Sequence, residues 1–211
     1  MNDYQEYWKH RLETGHYQFD SVHEKTIGIA NQFLGGNRGV ILECGVGPGH
    51  VFRELSKSHE VHGIEISTKA FELYDFDTTN ILKWDLNKGL PPYDQLFDVV
   101  IMGRILHHLD DPRVVLAHVK SRLGPGGILL AIIPNIFYYK HRLNYLCGRT
   151  PRISRAHVNF RSGPEFQAEV ESVGFKLLQL TTPKRTLRAR LWPTVFSQDL
   201  FYVFQPTPHA A

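Results

Sequence analysis

Cysteine is scarce in this sequence of 211 residues, which contains only Cys44 and Cys147. Two cysteines cannot form the disulfide framework of a small secreted domain, so we expect a reduced, cytoplasmic protein. No apolar run approaches the length of about 20 residues that a membrane span requires. The first residues are polar and aromatic and do not resemble a signal peptide.

Acidic residues are missing from one stretch, since residues 135–163 contain no Asp or Glu. Between residues 134 and 198 there are eleven Lys or Arg and three acids, whereas the remainder holds thirteen basic and eighteen acidic residues. The positive charge is therefore concentrated in the C-terminal third. This pattern predicts an anionic partner for that region, and a solvated basic face is the alternative.

A glycine-rich stretch, residues 40–50 (VILECGVGPGH), is the strongest motif that the chain does contain. A short apolar strand runs into Gly45, Gly47 and Gly49, and residues 51–57 have helical spacing. A strand, a glycine turn and a helix in this order cradle nucleotide cofactors in α/β sheets. The dinucleotide fingerprint G-x-G-x-x-G would need glycine at position 50, which is His50.

Three further segments have the composition of strands, and each is followed by residues suited to a cofactor site. Residues 60–66 carry Glu65 near their end, where a carboxylate can accept hydrogen bonds from both ribose hydroxyls. Residues 79–84 precede Asp85. The almost wholly apolar residues 97–102 are typical of a central parallel strand buried on both faces.

Other segments indicate ordinary structural roles. Asp98, at the start of the apolar strand, is expected to be structural. Residues 26–34 predict a helix ended by Gly35 and Gly36, and residues 124–127 predict a turn before a strand at 128–133.

These features, in this order, resemble the motifs of class I S-adenosylmethionine-dependent methyltransferases. The resemblance rests on the E-x-G-x-G-x-G turn, Glu65, Asp85, the segment FDVVIMGRILHHL and the later LGPGGIL, and it covers roughly residues 38–205. It implies an α/β fold: a Rossmann-like, doubly wound, seven-stranded sheet, mostly parallel with an antiparallel last strand and helices on both faces. It also implies an enzyme that uses S-adenosyl-L-methionine and releases S-adenosylhomocysteine.

The resemblance assigns roles to the cofactor residues. Glu43 would bind the methionine ammonium, Glu65 the ribose, and Asp85 the exocyclic amine of adenine, with Leu86 supplying backbone contact. The full predicted set is Glu43, Gly45, Gly47, Gly49, Glu65, Ile66, Asp85, Leu86, Gly103 and Arg104.

The chain divides into four segments of a single methyltransferase domain. We expect an N-terminal helical lid at residues 1–36, for which an ordinary packed helix is the alternative reading of its aromatic residues. The cofactor-binding core follows at residues 38–133, a basic substrate cap at 134–162, and a C-terminal helix with strands at 163–205.

The substrate side is indicated by the basic cap and by histidines. Tyr138, His141, Arg142 and Arg161 are the candidate substrate-binding residues. His157 is the first candidate for a catalytic base because its segment resembles the H-x-x-x-[FR]-[ST] stretch of methyltransferases acting on glycans, and His107 is the second. The alternative is that the histidines only hold loops and that proximity alone drives the reaction.

No metal site is expected. His107 and His108 are adjacent and so point to different faces, while Asp111, followed by Pro112, is better suited to begin a helix.

The sequence thus predicts methyl transfer to a hydroxyl or amine of a small, anionic metabolite or glycan precursor. The alternatives are an RNA methyltransferase and a non-catalytic regulatory protein that binds S-adenosylmethionine. Against nucleic acid, Gly103-Arg104-Ile105 replaces the Asn/Asp-Pro-Pro-aromatic turn with which amino-methylating enzymes grip a base. We expect a monomer or homodimer with a small-molecule substrate and no nucleic-acid partner.

Overall fold

A mixed, seven-stranded sheet forms the centre of the computed structural model, which describes residues 13, 18–149, 159, 161–183 and 186–207. The strand order is β3-β2-β1-β4-β5-β7-β6, and β7 runs antiparallel to both of its neighbours. The strands are β1 Val40–Cys44, β2 Glu60–Glu65, β3 Ile81–Lys83, β4 Phe97–Gly103, β5 Leu123–Pro134, β6 Phe175–Thr181 and β7 Asp199–Pro206. The order and the single antiparallel strand confirm the fold class predicted from the sequence.

Helices connect these strands. They are α1 Ser21–Leu34, α2 His50–Leu55, α3 Thr68–Phe71, α4 Pro112–Arg122, α5 Tyr139–Leu146, α6 Gly163–Ser172, α7 Leu187–Leu191 and α8 Pro193–Phe196. Short 3₁₀ turns at Leu86–Lys88 and Leu106–His108 follow β3 and β4. None of the helices in the described part of the chain has both the length and the hydrophobicity required to span a membrane.

Buried strands explain the long apolar runs of the sequence. Ile41 and Leu42 in β1 and Val100 in β4 have no exposed surface. Parallel strands with helices on both faces must be apolar on both sides, and two apolar clusters indeed lie on opposite faces of this sheet. Asp98 begins β4 with a structural role, as predicted, because its Oδ2 accepts the Val40 N–H at 2.8 Å.

Helix α1 begins earlier than the hydrophobic pattern indicated, at Ser21 instead of Thr26. Asp20 is its N-cap and forms a capping box with His23, in which Asp20 Oδ1 accepts the His23 N–H and His23 Nδ1 accepts the Asp20 N–H. The helix ends, as predicted, at Gly35, whose φ of 60° lies in the left-handed region.

Strand β5 also begins earlier than predicted. Residues 124–127 were expected to form only a turn before a strand at 128–133. Instead Leu123 pairs with Phe97 and Ile128 pairs with Val99, so the intervening residues bulge opposite a single residue of β4. Gly127 lies close against β4, since a Cβ there would approach the Phe97 carbonyl oxygen to 2.9 Å.

The C-terminal third supplies β7 and β6, the last two strands in the sheet order, and helices α6 to α8. Ser162 and Glu165 form a capping box at the start of α6, and Gly174 follows the helix with a φ of 93°.

Cys44 is buried and Cys147 is exposed, and neither forms a disulfide. Apart from Glu13 and residues 18–36, the predicted N-terminal lid lies outside the described residues, and the division into four segments stays a prediction.

Candidate active site

A cavity opens at the carboxyl ends of the parallel strands, and we call it the strand-end cavity. Its walls come from the glycine turn after β1, from the residues that follow β2, β3 and β4, and from one face of α1. Ligands bind at this edge of open α/β sheets because the connecting loops diverge there. Nine of the ten predicted cofactor residues line this cavity, and Gly49 is the exception.

The glycine turn contributes two of its three glycines to this cavity. Gly45 and Gly47 line it with φ values of 79° and 58°, a backbone region that favours glycine. Gly49 lies elsewhere. It is the N-cap of α2, and a Cβ at this position would come within 2.6 Å of the Phe76 ring. Gly49 was predicted to bind the cofactor, but the structure gives it a packing role instead.

Glu65 is fixed by the backbone at the end of β2. Its Oε2 accepts the Gly47 N–H at 2.9 Å, and its Oε1 accepts the N–H groups of Ile66 and Ser67 at 2.9 and 2.8 Å. Burial raises the pKa of this carboxyl, although the three hydrogen bonds oppose the shift. Glu65 and Ile66 both line the cavity, so the predicted contact with ribose is compatible with their position.

Glu43 differs from Glu65 because one of its oxygens is unsatisfied. Its Oε2 is buried without a hydrogen-bond partner in the described part of the protein. Burial and the nearby charge of Glu65 raise the pKa of Glu43 well above its ordinary value, and a hydrogen bond from the Phe52 backbone opposes this only in part. A buried carboxylate in this state is suited to a cationic ligand, such as an ammonium group.

Asp85 and Leu86 lie at the far end of the cavity, after β3. Asp85 begins the 3₁₀ turn, where its Oδ1 accepts the Asn87 N–H at 3.0 Å. Because β3, β2, β1 and β4 are consecutive in the sheet, Asp85, Glu65, Glu43 and Gly103 follow one another along the edge. The predicted carboxylates therefore form a row across the strand ends.

Arg104 closes the opposite end of the row. Its backbone has a φ of 54°, which is unusual for a residue other than glycine. Its Nε and Nη2 each donate to a carboxylate oxygen of Asp199 at 2.8 Å, and its Nη1 lies 3.7 Å from Asp20 Oδ2. Arg104 thus connects the end of β4 with the start of β7 and with the N-cap of α1.

The comparisons with known proteins agree with this geometry. A family profile described as "Methyltransferase domain" matches residues 6–180. The malonyl-[acyl-carrier protein] O-methyltransferase of Halalkalibacterium halodurans is 26% identical over 113 residues, which are 48% of this chain and 42% of that protein. The chain thus matches less than half the length of this relative.

Solved structures share the fold at low identity. A S-adenosylmethionine-dependent methyltransferase from Clostridium acetobutylicum has a TM-score of 0.66 at 10% identity, covering 94% of this chain and 96% of that one. The DhpI–SAH complex has a TM-score of 0.65 at 19% identity, with 97% and 96% covered. A 1,6-didemethyltoxoflavin-N1-methyltransferase from Burkholderia thailandensis has a TM-score of 0.64 at 15% identity, with 89% and 79% covered.

The chain belongs to the methyltransferase domain family. Its fold is that of the class I S-adenosylmethionine-dependent methyltransferases. The predicted family and fold class are therefore confirmed. S-adenosylmethionine as the cofactor of this chain stays a proposal.

Two histidines follow β4 in this methyltransferase. His108 lines the strand-end cavity, whereas its neighbour His107 lines a separate small cavity together with Arg161 and Glu169. The rings of the two residues nevertheless lie only 4.2 Å apart between centroids. His107 as the second candidate base stays a prediction. His157 lies outside the described residues and stays a prediction.

The predicted substrate residues lie outside the lining of the strand-end cavity. Tyr138 is buried, and the pKa of His141 is lowered by burial. Arg142 donates from Nε to the Phe137 carbonyl at 2.7 Å, and Arg161 forms an ion pair with Glu169 at 2.6 Å. Of the described residues that line the strand-end cavity, none belongs to this group of four. Their role in binding a substrate stays a prediction.

Sequence reasoning missed His23, which lines the cavity from α1. Its ring stacks on Phe19 at 5.5 Å and meets His50 edge-on at 5.0 Å between ring centroids. The capping box with Asp20 was the available signal, because a helix that starts at residue 21 carries His23 in its first turn.

Metal ligation has no support in the described residues, which hold no group of three or more potential ligands. Asp111 caps α4 through the Arg113 N–H at 3.0 Å and pairs with the Arg113 side chain. This is the helix-starting role that the sequence predicts.

Proposed function

We propose that this protein transfers the methyl group of S-adenosylmethionine to a hydroxyl or amine of a small, anionic metabolite or glycan precursor. One observation carries the donor half of the proposal: Asp85, Glu65, Glu43 and Arg104 line a single cavity in the order of the strand ends. Adenine, ribose and the amino-acid end of the cofactor require groups of these kinds in this order.

The residues fit the cofactor at the buried end as well. Bound S-adenosylmethionine supplies an electrophilic methyl group on a sulfonium centre. Glu43 would accept hydrogen bonds from the ammonium group through its unsatisfied Oε2. Gly45 lets the turn pack closely against Ile105, since a Cβ there would come within 3.2 Å of that side chain. A cation beside Glu43 favours its ionised form, which offsets the cost of burying that charge.

The acceptor must lose a proton when a hydroxyl or amine is methylated, and a positioned base typically accelerates such a step by about 10²–10⁴-fold. His157 remains our sequence-based candidate. Among the described residues, His23 and His108 are the histidines that line the cavity, and we take His108, which follows β4, as the candidate to test. Alignment of the acceptor by the cavity contributes in either case.

The chemistry of the acceptor rests on weaker support. Positive charge is concentrated between residues 134 and 198, and an anionic group is the natural partner of arginine side chains. The similar proteins include, by their names, one O-methyltransferase and one N-methyltransferase. We also propose a cytoplasmic monomer or homodimer, as the sequence indicates.

A turnover screen tests the proposal. The protein is incubated with S-adenosylmethionine and a panel of hydroxy and amino acids, sugar phosphates and sugar nucleotides, and S-adenosylhomocysteine is measured. Total RNA is included as a separate acceptor. Turnover with an anionic small molecule supports the proposal, turnover with RNA alone contradicts it, and tight S-adenosylhomocysteine binding without any turnover favours a regulatory protein.

Matched histidine variants then test the base. His108→Ala should lower kcat by about 10²-fold or more while S-adenosylhomocysteine binding changes little. His107→Ala should have a smaller effect on kcat, since His107 faces the other cavity.

A further inference from the structure

Large apolar side chains are exposed on one part of the C-terminal third. Leu143 and Leu146 on α5 are 54% and 83% exposed, and Leu187, Leu191 and Trp192 on and after α7 are 68%, 60% and 58% exposed. We call the exposed side of residues 139–149 and 187–192, which include α5 and α7, the cap surface. Exposed apolar residues are ordinary when scattered, but a cluster marks a site of interaction.

Helices α5 and α7 belong to the same side of the molecule because α8 links them. The ring of Tyr139 in α5 lies 5.6 Å from the ring of Phe196 in α8. Asn135, just before α5, donates from Nδ2 to the Thr194 carbonyl at 2.8 Å. Trp192 joins α7 directly to α8. All three helices follow β5 or precede β7, at the edge of the sheet that also holds the strand-end cavity.

The cap surface is also strongly basic. Its described cations are all exposed, and they are Lys140, Arg142, Arg149, Arg188 and Arg190. No Asp or Glu occurs in residues 135–163 or 186–198. None of the ion pairs found among the described residues involves these five cations.

We propose that the cap surface docks onto an anionic lipid bilayer, with its leucines and Trp192 at the headgroup level and its cations on lipid phosphates. Tryptophan is favoured at membrane interfaces, and long basic side chains bury their stems while their charges reach the headgroups. Basic clusters next to exposed apolar side chains gain from both the hydrophobic and the electrostatic attraction of such a surface.

Charge favours a bilayer over the other possible occupants. Two copies of this chain joined through the cap surface would bring two acid-free, basic faces together, and like charges oppose that contact. Nucleic acid matches the cations but offers little to side chains such as Leu146. The rest of the chain has an excess of acidic residues, so an anionic membrane favours contact through the cap surface over contact through other parts of the chain.

Docking of this kind places the strand-end cavity close to the membrane. The protein would then bind its acceptor at the bilayer surface, a position suited to an acceptor whose anionic group is carried on a lipid. The docking itself does not rest on the proposed reaction, because it can be measured without turnover.

Vesicle co-sedimentation tests the docking with the whole chain. Vesicles of phosphatidylcholine are compared with vesicles in which about a third of the lipid is phosphatidylglycerol, at low and at high salt. We expect binding to the anionic vesicles at low salt, and weaker binding at high salt because screening shortens the reach of the charges. Absence of binding to anionic vesicles at low salt overturns the proposal.

Substitutions at exposed positions show whether the cap surface is responsible. Leu146→Glu with Trp192→Glu, and separately Arg188→Glu with Arg190→Glu, should each weaken vesicle binding on the order of tenfold or more. Leu178→Glu is the matched control, since Leu178 is 49% exposed on β6 outside the cap surface, and it should bind like the wild type. Thermal denaturation checks that each variant is folded.

Other outcomes assign the surface differently. Equal vesicle binding by the cap variants and the wild type would overturn the assignment to this surface. Concentration-dependent dimerisation in analytical ultracentrifugation, lost in the Leu146→Glu/Trp192→Glu variant, would identify a self-association interface instead. RNA binding that competes with vesicles and is lost in the arginine variant would point to nucleic acid.

Discussion

The edge of the sheet over β1 to β4, which we call the donor half, differs from the edge over β5 to β7, which carries the cap surface, in both charge and burial. The first half is acidic and buried, and its carboxylates Glu43 and Glu65 are almost inaccessible to solvent. The second half is basic and exposed, and α5 has no buried residue among its eight. Both halves lie along the same edge of one sheet.

The two halves therefore differ in how much of their binding geometry is fixed before a ligand binds. Backbone N–H groups hold Glu65, and a rigid glycine turn faces it, so the geometry of the donor half is fixed before a ligand arrives. Arg142 and Arg188 in the cap have long, exposed side chains that lose rotamer freedom on binding. The donor half should therefore be sensitive to single substitutions, and the cap only to several together.

Glu65→Ala should have the largest effect on the donor half. The N–H groups of Gly47, Ile66 and Ser67 would lose their acceptor, and we expect a loss of about 3 kcal/mol in the free energy of unfolding. S-adenosylhomocysteine affinity should fall by about 100-fold or more, as measured by isothermal titration calorimetry. Glu60→Ala on the same strand is the control, because Glu60 is exposed. Equal effects of both variants would contradict the role of Glu65.

Glu43→Gln tests the specific partner of the unsatisfied oxygen. A hydrogen bond to a charged group contributes about 1.5–3 kcal/mol, so S-adenosylhomocysteine affinity should fall by roughly tenfold to a hundredfold. The affinity for 5′-methylthioadenosine should change little, since that ligand lacks the amino-acid end. If both ligands lost affinity equally, Glu43 would not contact the ammonium group.

Arg104→Ala tests the junction between the two halves. Asp199 is largely buried and would lose both of its hydrogen bonds to the guanidinium, so we expect a loss of about 2 kcal/mol in the free energy of unfolding. Asp199→Asn in the Arg104→Ala background should recover part of it. Arg53→Ala removes an exposed ion pair with Asp75 and should have almost no effect. Denaturant unfolding measures all of these changes.

The pH dependence of the free energy of unfolding, measured without ligand, should show how much the buried, ionised carboxylate of Glu43 destabilises the fold. The pKa of Glu43 is raised in the folded state, so the folded protein binds more protons than the unfolded chain above the ordinary pKa of the group. The free energy of unfolding of the protein therefore falls as the pH rises from the ordinary pKa of Glu43 to its raised pKa. Glu43→Gln should be more stable than the wild type above this window and equal to it below. A wild type that is more stable than Glu43→Gln at neutral pH would show that Glu43 has a cationic partner without ligand.

Much of the donor half could be predicted from the sequence because its elements are local. The glycine turn follows β1, Glu65 ends β2 and Asp85 comes two residues after β3, so locating each strand also located the residue. Parallel pairing then brought the strand ends to one edge without any further information.

The residues that were not predicted depend on contacts that are distant in sequence or on the direction of a side chain. Arg104 and Asp199 are 95 residues apart, and no pattern in the sequence connects them. His107 and His108 are neighbours on one 3₁₀ turn, and only the folded packing decides which of them lines which cavity. Gly49 resembles Gly45 and Gly47 in the sequence, but the ring of Phe76 decides its role.

The smallest effect should come from the cap and would show whether the two halves act independently. Arg188→Ala with Arg190→Ala should change S-adenosylhomocysteine affinity by less than about twofold, because exposed charges are screened within roughly 10 Å in ordinary buffers. Both side chains are also absent from the described lining of the strand-end cavity. Calorimetry at low and high salt measures the affinity. Glu43→Gln is the positive control, because its affinity for S-adenosylhomocysteine is expected to fall. A loss comparable to that of Glu43→Gln would mean that the cap takes part in binding the cofactor, and the separation of the edge into a buried donor half and an exposed cap would then fail.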